Sequence, residues 1–189
     1  MATHNYYTDC HKGRYNLLHP EKYMPNLPMP YYKSAWERKF FIVCDTNPRI
    51  TFWAYEPKVF EIPYMSPKYG RVSIYHPDIY LEILPEGATK VNRWLIEVQP
   101  TSYAVQPKMP QPPKAGADSA AFERYNKRKA NYDQKVMDVI VNLAKWEAAS
   151  EWCKVHGVNW FIATEKNTGK LFDASTIISK CNLRNNFER

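Results

Sequence analysis

The strongest hydrophobic pattern in the chain lies between Ser119 and about His156. There Phe122, Tyr125, Tyr132, Val136, Val139, Leu143 and Trp146 recur at spacings of three, four and seven residues. That period lays apolar side chains along one stripe of a helix. Gly157 follows as the residue type that most readily ends a helix in the left-handed conformation. A shorter helix is predicted from Ser34, its N-cap, through Trp36, Phe40, Phe41 and Val43. Asn47-Pro48 ends it, because the residue before proline avoids the helical region. Between the two helices lie three strand-like blocks. Residues 50–55 with 59–64 form the first and residues 72–84 the second. The third, 94–98, is short and mostly apolar, as a buried central strand would be. Pro85-Glu86-Gly87 makes the turn between the second and third. Residues 159–164 read as another short apolar strand and 174–181 as a weaker helical segment. Helix, three strands, helix, strand predicts an α/β fold: a central mixed sheet flanked by helices, with the long helix after the third strand.

Two stretches lack such a pattern. Residues 1–33 read as an irregular arm in which Pro20, Pro25, Pro28 and Pro30 block regular helix. Its six tyrosines favour packing, since so much aromatic surface is costly to leave wet. At about 100–118 the composition changes to Pro, Gln, Lys and Gly, which predicts a surface crossover, extended where proline dictates. Residues 34–189 then form a single α/β domain that contains this crossover.

Composition narrows the classes. A chain of 189 residues that is 44% hydrophobic suits one respectable core. No run of about 18 apolar residues occurs, so no membrane span is expected. The first twenty residues lack the apolar segment of a secretory signal, which leads us to expect a protein made and used inside a cell. Cys10, Cys44, Cys153 and Cys181 are far apart, so reduced, unpaired thiols are the default. Six glycines and no phosphate-binding loop motif argue against an NTPase. The formal charge of +7 favours polyanionic partners, although a merely soluble basic surface would carry the same excess.

The informative chemistry lies in Tyr75-His76-Pro77-Asp78-Ile79-Tyr80 and Trp94-Leu95-Ile96-Glu97-Val98-Gln99. With Asp78 in one strand and Glu97 near the end of the next, antiparallel neighbours would place them side by side. A carboxylate after Leu95-Ile96 is costly to bury without a cation. Asp78, Glu97 and the backbone carbonyl of Val98 would make an oxygen-rich site suited to Mg²⁺ or Mn²⁺. The plainer reading pairs Glu97 with a lysine or arginine at the sheet edge. His76 reads as phosphate-contacting or simply structural. Arg124, Lys127, Arg128 and Lys129, the densest basic patch, would touch DNA backbone or only solubilise a helix.

Pro77-Asp78 followed by Glu97-Val98-Gln99 resembles the PD-(D/E)-x-K nuclease motif, and Ser34-Ala35-Trp36-Glu37 resembles the first-helix glutamate of that superfamily. Together with Glu21-Lys22-Tyr23, Asp45-Thr46-Asn47-Pro48, Ile62-Pro63-Tyr64 and Lys145-Trp146-Glu147-Ala148-Ala149, these motifs resemble the head-completion nucleases of T-even-like tailed phages, from about Gly13 to Glu165. A more distant likeness is to the end-cleaving subunit of certain cut-and-paste transposons, carried by Thr164-Glu165; it fits the motif but not the N-terminal half. The resemblance implies a metal-dependent DNA endonuclease that acts during or after genome packaging on double-stranded DNA, largely without sequence preference. It implies phage head, portal or neck proteins as partners, no membrane, and a place in the host cytoplasm and at the head vertex of the virion. Asp78 and Glu97 would hold the ion, with Glu37 reaching it directly or through water. One departure is that Gln99 stands where the motif has lysine, and an amide brings no charge. Lys145 is the candidate to replace it, although its plainer reading is a solvated lysine flanking Trp146. Gln99 also keeps open a second class, a structural head or neck protein with a weakened or vestigial nuclease site.

Overall fold

The computed structural model describes residues 12–103, 105–164 and 166–167. The weak helix expected at 174–181, Cys10, Cys181 and Glu165 lie outside the described residues. Eight strands and two long helices follow in order: β1 (Gly13–Arg14), β2 (Tyr31–Tyr32), α1 (Ala35–Thr46), β3 (Ile50–Tyr55), β4 (Ile62–Ser66), β5 (Arg71–Tyr75), β6 (Ile79–Ile83), β7 (Asn92–Val98), α2 (Ser119–His156) and β8 (Asn159–Ala163). The central sheet runs β3-β6-β7-β8. Its β3/β6 and β6/β7 pairs are antiparallel and its β7/β8 pair is parallel. This is the α/β architecture that the order of elements implies, and α2 follows the third strand of that mixed sheet.

Both helices begin and end where their capping chemistry dictates. Ser34 accepts from the Glu37 N–H at the start of α1, and Asn47, held extended before Pro48, closes it. Asp118 caps α2, and Gly157 closes it at φ 62°, a left-handed conformation in which glycine carries no Cβ penalty.

The strand blocks between the helices differ from the sequence pattern in three respects. The block expected at 72–84 is two strands in two sheets. His76-Pro77-Asp78 interrupts it, because proline cannot donate to a ladder. Asp78 therefore stands in the bend just before β6 rather than within a strand. The segment expected at 59–64 begins at Ile62 and pairs with β5 in a separate hairpin, not with β3.

The sheet's two faces carry two apolar layers, as strand alternation requires. Trp94, Ile96 and Val98 of β7 pack with Ile79, Leu81 and Ile83 against α1 residues Phe40, Phe41 and Cys44. Leu95 of the same strand packs with Tyr75, Tyr80 and Trp160 against Trp146, Ala149 and Cys153 of α2. Only those last three α2 residues are buried; Phe122, at the start of the predicted stripe, is 48% exposed. The first half of α2 therefore stands away from the core. Its partly covered Tyr125, Tyr132, Val136 and Val139 share that state with Pro107, Pro110 and Pro113 of the crossover, whose three-residue period is that of a polyproline helix.

The described part of the tyrosine-rich arm packs. Tyr15 and Tyr23 meet Trp53 edge to face, with centroids 6.4 and 4.8 Å apart. Fully buried Asp45 on α1 anchors the arm, accepting from the Tyr15 hydroxyl (2.9 Å), the Leu18 N–H (2.7 Å) and the His19 N–H (3.0 Å). Replacing Asp45 with alanine leaves three donors without their acceptor, at about 1–3 kcal/mol for each that water cannot reach. We expect Asp45→Ala to lower the urea midpoint strongly and to open residues 15–19 to proteolysis; wild-type resistance at the arm would refute this.

Candidate active site

The β6/β7 register decides where the two acids meet. Ile79 lies opposite Ile96, so the next step outward sets Asp78 opposite Glu97. Glu97 belongs to the alternate set of β7 that faces α2 with Leu95, and it is 8% exposed. Asp78 is held from two sides. Its side-chain Oδ2 accepts from the Val98 N–H at 2.8 Å, and its carbonyl accepts from the Glu56 N–H at 2.7 Å. Glu56 adopts φ 44°, a left-handed conformation uncommon outside glycine, as the chain leaves β3.

The electrostatics are those of two acids sharing too little solvent. Burial, and then the negative charge of Glu97, push the Asp78 carboxyl well above the usual carboxylate range. Burial likewise raises Glu97. That rise is offset first by the Tyr75 hydroxyl, which donates to its Oε2, and then by the charge of Lys145, with Trp146 and Asp78 also close enough to contribute. Two carboxyls this close repel each other when both are ionised, a repulsion that Lys145 offsets in part and a cation between them would relieve. Hard oxygen donors in that state fit a small divalent ion such as Mg²⁺ or Mn²⁺. Among the described residues no three His, Cys, Asp or Glu side chains gather tightly enough to hold an ion by themselves. Further oxygens would come from backbone, water or a bound phosphate.

Glu37 approaches from the α1 layer, across the sheet from Lys145. Its carboxylate accepts from the Lys33 N–H, burial raises its pKa, and its charge contributes to the rise of Asp78. Gln99 lies two residues beyond Glu97, on the same side of the chain. Its N–H donates to the Ala163 carbonyl at 2.9 Å, which extends the β7/β8 pairing beyond Val98. Lys145 points its ammonium over the Tyr75 ring, 5.8 Å from the centroid. The structure thus gathers Asp78, Glu97 and Lys145 on the α2 side, with the Val98 backbone beside Asp78 while its side chain packs on the α1 side, Gln99 at the rim and Glu37 reaching in from the α1 layer.

Three contributors were not singled out in the sequence. Tyr75 carries no signal of its own in the sequence, because its role depends on β5 ending beside β7. Glu56 and Lys33, joined in an ion pair, reach the site from the ends of β3 and β2. The charges of Glu56 and Lys33 act on Asp78 and Glu37 respectively. A polar residue directly after an apolar strand, as Glu56 follows β3, is a signal that could have flagged it. His76 hydrogen-bonds the Phe60 carbonyl at 3.2 Å, a structural contact. The Arg124–Lys129 patch lies on the projecting half of α2, where Lys129 pairs with Asp133.

A family model described as TnsA-like endonuclease N terminal matches residues 47–165, which contain both acids, Gln99 and Lys145. The match opens after α1. The chain is also 27% identical over 156 residues to the head completion nuclease of Enterobacteria phage T4, covering 82% of this chain and 92% of that protein. The mixed sheet, its in-register acids and the long following helix agree with a PD-(D/E)-x-K nuclease core.

Proposed function

Because the chain belongs to the TnsA-like endonuclease N-terminal family, we propose that it is a Mg²⁺- or Mn²⁺-dependent DNA endonuclease whose ion is held by Asp78 and Glu97. The observation that carries this reading is the buried, directly opposed pair of carboxyls, both raised in pKa. A structural protein gains nothing from burying two acids against each other, whereas an ion site needs them. Val98 offers its carbonyl and Glu37 a further carboxylate, directly or through water. When bound, the ion supplies acidification of a water and neutralisation of charge developing on the phosphate.

The chain's own groups do the rest. The Val98 N–H fixes the Asp78 carboxylate, and the Tyr75 hydroxyl fixes that of Glu97. Such support holds reacting groups in one geometry, which is where much of a catalyst's advantage arises. Lys145 brings the positive charge that the motif's lysine would bring, and Gln99 offers only amide hydrogen bonds. Hydrolysis of the phosphodiester leaves a hydroxyl on one side and a phosphate on the other. By its likeness to the phage protein, the substrate is double-stranded DNA during or after genome packaging. The partners are then head, portal or neck proteins, and the locations are the host cytoplasm and the head vertex.

The test is plasmid cleavage by purified protein in Mg²⁺, in Mn²⁺ and in EDTA. We expect nicking or linearisation with either ion and none in EDTA. Binding to unrelated duplexes should weaken steeply with salt and vary little with sequence. Gln99 is the one observation that favours the second reading, a head or neck protein with a vestigial site. No cleavage with either ion, with head assembly still dependent on the protein and indifferent to Asp78→Asn, would establish that reading instead.

A further inference from the structure

The β4–β5 hairpin is an exposed feature that the site chemistry does not use. Its inner face packs on α2 through Ile62 and Tyr64. Its outer face is apolar and wet: Met65 is 60% exposed, Val72 61% and Ile74 49%, with Met65 paired to Val72 and Pro63 to Ile74. At the tip, exposed Tyr69 is bracketed by two cations, Lys68 at 5.4 Å and Arg71 at 5.8 Å from the ring centroid. Neither cation is in an ion pair among the described residues. The other end of β5 is Tyr75, whose hydroxyl holds Glu97. The ribbon is therefore tied at its base to the acid pair and carries its charge at the far end.

Building on the endonuclease reading, we propose that this hairpin is a second DNA contact that rides in the major groove on one side of the cleaved phosphate. A two-stranded ribbon is among the elements that groove admits. Four residues separate Arg71 from Tyr75, and strand rise makes that about 14 Å. Duplex DNA rises about 3.4 Å per base pair, so the tip meets the backbone at most about four base pairs along the axis from the Tyr75 end of the ribbon. Lys68 and Arg71 take phosphates there, and the Tyr69 ring sets their spacing. Pro63, Met65, Val72 and Ile74 offer no hydrogen-bonding side chain to the bases. The hairpin thus takes its affinity and position from the phosphate contacts at its tip and reads no hydrogen-bonding pattern of the bases. Charge complementarity favours DNA over a protein partner for this ribbon, because its only ionic groups are the cations at the tip.

The experiment compares duplex binding by full-length Asp78→Asn protein, chosen to prevent cleavage, with and without Lys68→Ser and Arg71→Ser. Removing two phosphate contacts should flatten the slope of log affinity against log salt by about 1.8. Between about 50 and 200 mM salt the loss of affinity then shrinks by about tenfold. Lys68→Arg with Arg71→Lys should keep the parent slope, and unchanged thermal melting of all three proteins verifies the fold. If the parent binds with a steep slope that the serine variant keeps, the hairpin is no DNA contact and its apolar face is left to a protein partner. If neither the parent nor the wild type with Mg²⁺ binds or cuts a duplex, the endonuclease reading falls, and this proposal with it.

Discussion

Asp78→Asn is expected to lower plasmid cleavage by at least about 10²–10³-fold, the scale of removing one preorganised electrostatic contact at a reacting centre. It is also expected to make the metal-free protein more stable at neutral pH. The asparagine carbonyl can still accept from the Val98 N–H, so the loop before β6 keeps its anchor. What disappears is the charge opposite Glu97. The sign follows from the raised pKa values of both acids. A carboxyl whose folded pKa lies above its unfolded one binds more protons in the folded state, so stability is lost as pH rises through that interval. In EDTA the wild type should therefore soften on going from acid to neutral pH, and Asp78→Asn should soften less. The gap should close at low pH, where both acids are protonated in either state. In a chain of this size each kcal/mol gained raises Tm by about 2–4 °C. Adding Mg²⁺ or Mn²⁺ should reverse the order, because only the wild type retains both ligands. Melting curves across pH, with EDTA and with either ion, read all of this directly. A variant that is less stable than wild type in EDTA at neutral pH would contradict the crowded-acid account.

Lys145→Ala is expected to cost about 10²–10⁴-fold in cleavage rate, the range associated with losing a positioned proton-transfer or cationic group. The lysine's charge already offsets part of the rise in Glu97, and its ammonium lies over the Tyr75 ring. Gln99 leaves a gap in the motif on the same side of the chain as Glu97, within reach of the same substrate. Gln99→Lys alone should therefore change little, because the position of charge is filled. In the Lys145→Ala background it should restore part of the rate. Single-turnover cleavage by the four proteins separates the alternatives. Should Lys145→Ala keep the wild-type rate while Gln99→Lys exceeds it, then glutamine was a weak stand-in and Lys145 only a solvated neighbour of Trp146.

Local chemistry was sufficient for some elements and not for others. Both helices could be bounded from sequence, since Ser34, Asn47-Pro48 and Gly157 act on the residues beside them. β3 could also be read, since its own run of Ile, Phe, Trp and Tyr favours a strand whichever neighbour it pairs with. The apolar run at 72–84 could not be divided correctly, because periodicity along a chain does not say which strand is the neighbour. His76-Pro77-Asp78 breaks that run, and the packing of β4 on α2 draws β5 away from the central sheet. The stripe of α2 was likewise legible as a stripe, while its burial was not. Only near Trp146 does a sheet lie beneath it, and upstream the helix has left the core.

The acids show the same division. That Asp78 and Glu97 were chemically odd for their surroundings was evident in sequence, since a carboxylate after Leu95-Ile96 makes burial costly. Their opposition across β6 and β7 is a matter of register, set by the turn at Pro85–Ala88 and by side-chain packing on both faces. The company they keep was decided by tertiary structure alone. Tyr75, Glu56 and Lys33 come from the ends of three other strands, whereas Lys145, nearly fifty positions downstream of Glu97, was a candidate in the sequence and only its place over the Tyr75 ring awaited the fold. Sequence can identify a group whose charge needs compensation. Which distant groups supply it depends on where separate chain segments meet, and those meetings are fixed by the burial of apolar faces with no part in the chemistry.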